Sequence, residues 1–504
     1  MKKFLTLQNI RRIYSVFFFT LFVWLLFITD YRNMKGYEVS LFLELDPLTA
    51  IASFLTSWTL YKGLALSLFI IIPTFFLGRF FCSWVCPLGI LNQWTSYIFN
   101  RRKLVEHYEE NHYRKSYRFK YYILAFFGVL ALSGSLQIGL LDPIALISRS
   151  FVTAALPAAN KVSGWVYLKQ PVFYGGVAIA LVFVSIIFAN RFMTRLWCRV
   201  LCPLGALLGL LSLGSLMRIR RDVEKCTDCS KCLQHCQGGC DPNKELRNTE
   251  CHVCMNCIEQ CPEGALSYGL PHALSSVHKP FDISRRRLVE TGLASFIFFP
   301  MMKSSLTAEA KPQPQVIRPP GSLTEGDFLK RCIKCSECMR VCPTNVLQPA
   351  LFESGLEGLW TPILVNKIGY CEHNCTLCGQ VCPTGAIREL SVEEKLGKPP
   401  FEKAMKLGTA FYDRGRCLPW AMDTDCIVCE EVCPTSPKAI WFRSEEVTTR
   451  SGAKKVLKRP YLDAEKCIGC GICENKCPVL DKPAIRVTSI GESRSKTNRM
   501  ILKS

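Results

Sequence analysis

The 504-residue chain lacks the glycine-rich loops that bind nucleotide phosphates, since it has neither a Gly-x-Gly-x-x-Gly fingerprint nor a Walker-type loop. These absences exclude the ordinary dinucleotide-dependent dehydrogenases and nucleotide-hydrolysing enzymes. No substrate-pocket motif and no molybdenum-enzyme domain is present either. We therefore expect no independent catalytic domain in this chain.

Acidic residues are scarce, with 41 Asp and Glu against 62 Lys and Arg, which gives a formal net charge of +21. A nucleic-acid-binding protein would cluster its basic residues on one folded face and have no membrane spans. Here much of the basic excess flanks long apolar segments. We therefore expect no nucleic-acid partner.

Cysteine is abundant, and 28 of the 29 cysteines fall into seven sets of four. Four sets follow C-x2-C-x2-C-x3-C, the spacing that holds [4Fe–4S] clusters in bacterial ferredoxins. These strict runs are Cys226/Cys229/Cys232/Cys236, Cys251/Cys254/Cys257/Cys261, Cys332/Cys335/Cys338/Cys342 and Cys467/Cys470/Cys473/Cys477. Two looser runs are Cys371/Cys375/Cys378/Cys382 and Cys417/Cys426/Cys429/Cys433.

The spacing favours iron over the two other uses of clustered cysteines. A zinc ribbon needs two C-x2-C knuckles and has no use for the third and fourth cysteine of each run. Secreted disulfide scaffolds are short and lack this regular step. The sequence therefore predicts six [4Fe–4S] clusters, which together would contribute a charge of about −12 and offset part of the basic excess.

Four segments before residue 217 are apolar and about 20 residues long, as a bilayer span requires. They are residues 13–29, 62–81, 121–141 and 172–190. Basic residues mark the cytoplasmic ends of spans, and here these are Lys2, Lys3, Arg11, Arg12, Arg101, Arg102, Lys103, Arg114, Lys115, Arg118, Lys120, Arg191, Arg195 and Arg199. We expect a multi-pass protein of the bacterial cytoplasmic (inner) membrane.

This apolar half is an internal repeat. Each copy has a Leu-Asp-Pro turn, then a span, then Arg-x2-Cys-x3-Cys-Pro-Leu-Gly, and both copies have the same orientation. We expect a pseudo-twofold axis along the membrane normal. Such an axis would join Cys82 and Cys86 to Cys198 and Cys202 as an additional four-thiolate site, unless these cysteines only pack the spans together or form disulfides.

The Asp-Pro pairs of the repeat have two interpretations. Asp46 and Asp142 are typical of a turn or helix cap. Their symmetric placement also makes them candidate proton acceptors for quinol oxidation.

Residues 217–283 form a two-cluster, ferredoxin-like domain in this interpretation. Cross-ligation would join Cys226, Cys229 and Cys232 to Cys261. It would join Cys251, Cys254 and Cys257 to Cys236, or alternatively to Cys240, because Cys236 is followed by Gln and Cys240 stands in Cys-Asp-Pro. His235 and His252 are interpreted as surface or loop residues.

Residues 284–322 have the anatomy of an export signal followed by a linker: three arginines, an apolar core, Ala308-Glu309-Ala310 and a Pro-rich stretch. The alternatives are a fifth span or uncleaved anchor, cleavage after Ala310, and a buried cytoplasmic helix. Residues 323–504 carry the last four runs, and the sequence does not assign their fourth ligands. Duplicated four-cluster ferredoxins often pair the first run with the last and the middle two together.

The sequence therefore predicts a multidomain protein that consists of an α-helical membrane bundle (residues 1–216) and α+β ferredoxin-like domains. The membrane half resembles the NapH-type quinol dehydrogenase subunits of periplasmic nitrate reductase systems and the C-x3-C-P segments of NosR-like proteins. The part from Ser284 onward resembles the NapG/MauM ferredoxin-type proteins, with their twin-arginine signal and four [4Fe–4S] clusters. The departure at Cys236-Gln237 and the internal position of the signal distinguish this chain from those families.

This resemblance implies a fusion that takes electrons from the membrane quinone pool, with quinol as donor, and passes them to a periplasmic or membrane-associated reductase. It also implies that the four-cluster domain is periplasmic. Two alternatives remain: a maturation or reductive-activation factor for a metalloenzyme, and a ferredoxin-to-quinone reductase with the last domain inside the cell.

Overall fold

A computed structural model describes residues 6–32, 34, 40–59, 61–100, 111–163, 173–244, 246–270, 283–303, 316–450 and 452–499. Lys2, Lys3, Arg101, Arg102, Lys103 and residues 308–310, to which the sequence assigned roles, lie outside these ranges. The elements fall into an N-terminal helical half, a small two-stranded domain, a connecting helix and a C-terminal domain with three two-stranded sheets.

The N-terminal half is helical. Its sequence consists of apolar segments that are interrupted by Asp-Pro and Cys-Pro pairs. Its α-helices are α1 (Leu7–Ile28), α2 (Leu41–Glu44), α3 (Pro47–Ser57), α4 (Leu68–Leu77), α5 (Phe81–Trp84), α6 (Pro87–Asn100), α7 (Phe119–Leu132), α8 (Pro143–Ser150), α9 (Leu156–Ser163), α10 (Gly176–Phe188) and α11 (Pro203–Leu211). Shorter 3-10 turns connect them at Lys62–Ser67, Lys115–Arg118, Ile138–Leu140, Ala189–Arg191 and Ser212–Gly214, and π-helical turns lie at Phe151–Ala155 and Trp197–Leu201.

Proline sets the helix starts in both copies of the repeat. Helices α3 and α8 begin at Pro47 and Pro143, and α6 and α11 begin at Pro87 and Pro203. Proline suits the first helical position because its missing N–H has no intrahelical acceptor there. The predicted helix starts after the two Cys-Pro motifs are confirmed.

The predicted spans contain shorter helices than expected. Within the described residues, only α1 is both long and apolar enough to cross a bilayer, and it lies near the N-terminus. Segment 62–81 is divided between a 3-10 turn and α4, which contains Pro73, and segment 121–141 ends its α-helix at Leu132. The four-span bundle therefore stays a prediction.

The next domain along the chain contains a single two-stranded sheet and is called the two-stranded domain. Strands β1 (Arg218–Arg221) and β2 (Leu266–Gly269) pair antiparallel and enclose the first two cysteine runs. Between them lie the short helices α12 (Lys231–Gln234) and α13 (Asn256–Glu259) and a 3-10 turn at Asn248–Glu250.

The segment interpreted as a signal or anchor forms helix α14 (Arg285–Lys303). It packs along α7, where Ser295 Oγ donates to the Phe126 carbonyl at 3.2 Å and the rings of Phe126 and Phe298 lie 5.7 Å apart. The interpretations of this segment as a fifth span, an uncleaved anchor or a signal cleaved after Ala310 stay predictions.

The C-terminal domain has short elements because loops around cysteines occupy most of it. Its helices are α15 (Glu325–Arg331), α16 (Glu337–Arg340), α17 (Leu377–Gln380), α18 (Val392–Leu396), α19 (Leu418–Ala421), α20 (Val428–Glu431) and α21 (Ile472–Lys476). Its strands are β3 (Leu347–Pro349), β4 (Pro362–Leu364), β5 (Thr409–Tyr412), β6 (Ile440–Thr448), β7 (Lys454–Leu462) and β8 (Ile485–Thr488), paired antiparallel as β3–β4, β5–β8 and β6–β7.

The two cysteine-rich domains contact opposite ends of the helical half. At the first turn of α1, Gln8 Nε2 donates to Asn256 Oδ1 of the two-stranded domain at 3.0 Å. At the last turn, Phe27 O and Asp30 meet Arg340 of the C-terminal domain, the ion pair at 3.9 Å. A helix of 22 residues is about 33 Å long, so the helical half separates the two domains.

Candidate iron–sulfur centres

The four strict cysteine runs share an unusual backbone. In each run the residues directly before and after the second cysteine have a positive φ, between 50° and 81°. The pairs are Asp228 and Ser230, Val253 and Met255, Lys334 and Ser336, and Gly469 and Gly471. Successive backbone N–H groups in such alternating conformations form a concave nest that binds anions. The backbone itself is therefore shaped for a negatively charged group between the cysteines.

The left-handed residues include a β-branched one, Val253, at φ 50°. Such a conformation is costly for valine and persists where the surrounding structure imposes it, most often at functional sites. The spacing of the cysteines predicted the site but gave no sign of this backbone.

Four thiols of the two-stranded domain line one cavity, and they are Cys226, Cys229, Cys232 and Cys261. The second group consists of Cys251, Cys254 and Cys257, whose thiolates interact electrostatically with Cys236. The last cysteine of each run thus stands with the other run, as the cross-ligation argument expects.

Cys240 stands beside the second group. Its Sγ lies 3.5 Å from Cys236 Sγ, and Cys251 is another neighbour. Cys236 is among the strongest electrostatic neighbours of Cys251, Cys254 and Cys257, whereas Cys240 is among those of Cys251 only. The placement favours Cys236 as the fourth ligand, with Cys240 adjacent to it.

In the C-terminal domain the four runs group as neighbours. Cys382 joins Cys332, Cys335 and Cys338, while Cys342 joins Cys371, Cys375 and Cys378. One cavity is lined by Cys433, Cys467, Cys470 and Cys473, and another by Cys417, Cys426, Cys429 and Cys477.

This grouping differs from the expectation that the first run pairs with the last. The first two runs flank the β3–β4 pair, and the last two flank the β6–β7 hairpin, so each pair is closed by a local loop. Closing a short loop costs less conformational entropy than closing a long one. The two pairs meet where Cys371 N donates to Cys470 O at 2.8 Å.

Burial sets the protonation of these thiols. Burial, reinforced by neighbouring thiolates, raises the pKa of Cys232 to about 12. Burial likewise raises the pKa of Cys417 and of Cys470 to about 12. Iron binding requires thiolates, so cluster assembly must displace protons from these groups.

Backbone donors assist the last cysteine of several runs. Cys261 Sγ accepts from Ala265 N at 3.3 Å, Cys382 Sγ from Ile387 N at 3.4 Å, and Cys477 Sγ from Ala484 N at 3.4 Å. A hydrogen bond to a sulfur stabilises its anionic form. The residues present therefore fit thiolate ligation of an iron–sulfur cluster.

A single metal ion fits less well. Among the residues that the structure describes, no three of His, Cys, Asp and Glu are close enough to hold one ion. A cubane with one thiolate at each iron holds its ligands farther apart, which agrees with cavities lined by four separated cysteines.

The candidate residues of the helical half also come together. Cys82, Cys86, Cys198 and Cys202 are at most 6% exposed and belong to one hydrophobic cluster. Asp46 accepts from Leu48 N at 3.0 Å and Asp142 from Ala145 N at 2.7 Å, which confirms the helix-cap interpretation. The two carboxyl groups also interact with each other across the repeat.

Sequence reasoning predicted that Arg79 or Arg195 stabilises a thiolate, and Arg79 Nε donates to Cys82 Sγ at 3.4 Å. It did not predict the complete burial of Arg11, Arg149 and Arg199, which are at most 1% exposed. His252 lies in a loop, as one of its two interpretations has it, but it is buried, at 1% exposure, and its Nδ1 lies 3.4 Å from Arg195 Nη1.

In comparisons with known proteins, three iron–sulfur family models match the chain. A model described as a 4Fe-4S binding domain matches residues 59–105, 173–223 and 378–399. A 4Fe-4S dicluster model matches residues 331–386, the two runs that the structure joins, and a second 4Fe-4S binding model matches residues 460–480. No solved structure matches.

Curated relatives match parts of the chain. The methylamine utilization ferredoxin-type protein MauM of Methylorubrum extorquens is 37% identical over 221 residues, 42% of this chain and 90% of MauM. The ferredoxin-type protein NapG of Escherichia coli is 35% identical over 34% of this chain and 69% of NapG. YccM of Escherichia coli is 32% identical over 38% of this chain, which spans about half (51%) of YccM.

Proposed function

Because the chain belongs to the MauM and NapG family of ferredoxin-type proteins, we propose that it carries electrons across a membrane from quinol to a redox partner protein. In this proposal its 24 cysteines in six groups hold six [4Fe–4S] clusters, which supply one-electron transfer. A quinol gives up two electrons and two protons, and the oxidised partner protein is the final acceptor of the electrons.

One observation carries the proposal: the two cysteine-rich domains lie at opposite ends of the helical half, along the length of α1. A soluble electron carrier has no need to hold two redox domains apart with an apolar bundle. This arrangement also favours opposite sides of a membrane over the alternative in which both domains are cytoplasmic.

Exposed apolar side chains support the membrane location. On α4, Phe69 is 70% exposed, and on α10 Val177 is 76% exposed. Large exposed apolar surfaces of this kind mark contact with lipid or another protein. The exposed basic residues Arg12, Arg114, Lys115 and Arg191 lie at the end that carries the two-stranded domain, which supports a cytoplasmic location for that end.

The cysteine groups of the C-terminal domain form a row that starts at the helical half. Ile333 and Cys335, in the first run, belong to the same hydrophobic cluster as the helical half. Successive groups are linked by electrostatic interactions between their cysteines. These pairs are Cys338 with Cys378, Cys371 with Cys470, and Cys473 with Cys429. The row therefore runs from the first run through the second and fourth to the third.

The direct test is reduction of the detergent-solubilised protein by a menaquinol analogue without oxygen. We expect the broad visible absorbance of the clusters to bleach, because electrons from quinol reach them. Intact clusters that dithionite bleaches but quinol does not would contradict the proposal and favour a maturation or reductive-activation factor.

Sidedness needs a second measurement. In spheroplasts, protease added outside should cut residues 323–504 while residues 217–283 stay intact until the membrane is broken. Cleavage of both domains only after lysis would place both in the cytoplasm and support electron transfer from a ferredoxin to quinone.

A further inference from the structure

The four cysteines of the two C-x3-C-P motifs are buried close to one another. Cys202 interacts electrostatically with Cys198, Cys82 and Cys86, so thiols from both copies of the repeat are close neighbours. Their exposure is between 4% and 6%. They lie outside the six groups already described.

The backbone around these cysteines has the same conformation in both copies of the repeat. Cys86 N donates to Phe81 O and Cys202 N to Trp197 O, each at 2.9 Å, so each motif ends in a π-type turn. Such turns occur frequently at functional sites. Each second cysteine then caps a new helix, where its Sγ accepts from Gly89 N at 3.4 Å or Gly205 N at 3.2 Å.

The first cysteines receive side-chain donors. Arg79 Nε donates to Cys82 Sγ at 3.4 Å, and Asn92 Nδ2 donates to Cys198 Sγ at 3.9 Å. Asn92 belongs to the first copy and Cys198 to the second. All four sulfurs thus accept hydrogen bonds, as the sulfur ligands of iron–sulfur clusters do.

Charge gives a separate argument. Arg79 and Arg195 are fully buried beside the four sulfurs, and Arg195 interacts electrostatically with Cys198, Cys82 and Cys86. Glu250 is a charged neighbour of Arg79, but it already pairs with Lys120. Four thiols or two disulfides are neutral and would add no negative charge beside the two guanidinium groups, which is unfavourable in a protein interior. Four thiolates around an iron–sulfur core of charge +2 carry about −2, which balances the two arginines.

We infer that Cys82, Cys86, Cys198 and Cys202 together hold one additional iron–sulfur centre, shared between the two copies of the repeat. Each copy supplies two ligands, one basic side chain and one capped helix. The centre is incomplete without both copies, which explains why the motif occurs twice with the same orientation.

The position of this centre suits electron transfer between the two ferredoxin domains. This role rests on the proposed function. On one side, Arg195 interacts with both the membrane cysteines and Cys254 of the two-stranded domain. On the other side, Cys86 interacts with Asp142, and Arg149 with Asp142 and Cys335. Electron tunnelling slows exponentially with distance, so a centre here would divide the crossing into shorter steps.

Iron and acid-labile sulfide analysis of anaerobically purified full-length protein tests the centre itself. Six cubanes account for about 24 iron atoms, and the additional centre raises the count to about 26 for a two-iron core or about 28 for a four-iron core. The variant C86A/C202A should return to about 24 and lose one Mössbauer component. The matched control S53A, a similarly buried small residue of the same half, should keep the wild-type count.

The outcomes separate the centre from the proposed function. A wild-type count of about 24 with six equivalent cubane components would overturn the inference even if the double variant failed to assemble. An unchanged count in C86A/C202A would do the same. If the wild-type protein contains the extra iron but quinol does not reduce its clusters, the centre stands and the quinol-driven function falls.

Discussion

Asp46 and Asp142 cap helices and also interact with each other. Each carboxyl group caps a helix that starts at the next residue, and the two interact across the repeat. Asp142 neighbours Cys86 of the helical half and also Arg149, which lies beside the first group of the C-terminal domain. A proton acceptor at this place suits quinol oxidation, since each quinol releases two protons.

The variants D46N and D142N separate the two roles, because Asn caps helices about as well as Asp but cannot accept the proton. We expect the rate of cluster bleaching by quinol to fall at least tenfold, in the range typical of a lost proton acceptor. Thermal stability and reduction by dithionite should be unchanged. Equal quinol rates in stopped-flow measurements of variant and parent would leave Asp46 and Asp142 as caps only.

Glu325 is the clearest stabilising ion pair of the C-terminal domain. It accepts from Arg318 Nη2 at 2.5 Å and from Arg494 Nη1 at 2.8 Å, and Arg318 is fully buried. Burial alone would raise the pKa of Glu325, but Arg318 and Arg494 outweigh it and lower the pKa to about 2. The carboxylate is therefore stabilised in the folded state.

E325Q should lower the free energy of unfolding by about 3 kcal/mol at pH 7, as the pKa shift implies. Because the folded pKa is depressed, this contribution is fully present above the unfolded pKa and is lost as pH falls towards 2. The difference between parent and variant should thus be equal at pH 8 and 6 and smaller by about 1 kcal/mol at pH 4.

A control for E325Q is E394Q, which removes the partner of the half-exposed Arg388 and should cost less than about 1 kcal/mol. Denaturant titrations at each pH provide the comparison. A cost for E325Q that does not change between pH 8 and pH 4 would contradict the assignment.

Single residues were only partly predictable from sequence. The helix-cap role of Asp46 and Asp142 follows from Asp-Pro chemistry and is confirmed, because it depends on local backbone alone. The contact between these two residues depends on how two copies pack, which no local pattern encodes. The same holds for His252, whose burial beside Arg195 is a tertiary contact.

At the scale of elements, helix α7 anchors the two-stranded domain through a buried ion pair. Lys120 and Glu250, 0% and 3% exposed, form a salt bridge, and Tyr121 Oη donates to Glu250 Oε1 at 2.9 Å. The pair therefore joins the helical half to the 3-10 turn that precedes the second cysteine run.

E250Q should destabilise this junction by about 3–5 kcal/mol, because it leaves the Lys120 ammonium buried without a counter-charge. The double variant K120M/E250Q removes both charges and should recover most of the loss. The measurement is the temperature at which cluster absorbance is lost on heating. If the double variant is as unstable as E250Q, the charge pair is not what fixes the junction.

Element boundaries show where sequence patterns succeed and fail. The Cys-Pro motifs predicted helix starts at Pro87 and Pro203 because proline acts within one turn. The grouping of the last four runs was not predictable, since any of several cysteines satisfies the spacing. Hairpins β3–β4 and β6–β7 decide it by closing each pair locally.

At the scale of the whole molecule, the row of cysteine groups gives the proposed electron path a direction. The group of Cys335 contacts the helical half through Arg149. Arg149 Nη1 donates to Lys334 O at 3.0 Å, and the Arg149 guanidinium lies over the ring of Trp360. The group of Cys429 lies at the other end of the row, next to Trp420 and the β6–β7 hairpin. In the proposed function, the partner protein would dock at that far end.

The position of a group in this row should decide how much of the domain quinol can reduce. In C429A the last group is lost, and we expect quinol still to bleach about three-quarters of the absorbance that the domain contributes. In C335A the first group is lost, and the three remaining groups should stay oxidised with quinol because the entrance to the row is broken. Dithionite, which reaches exposed groups from solvent, should reduce the remaining clusters in both variants. Equal bleaching of C335A and C429A by quinol would show that electrons enter the domain elsewhere, and the order of the row would then have to be abandoned.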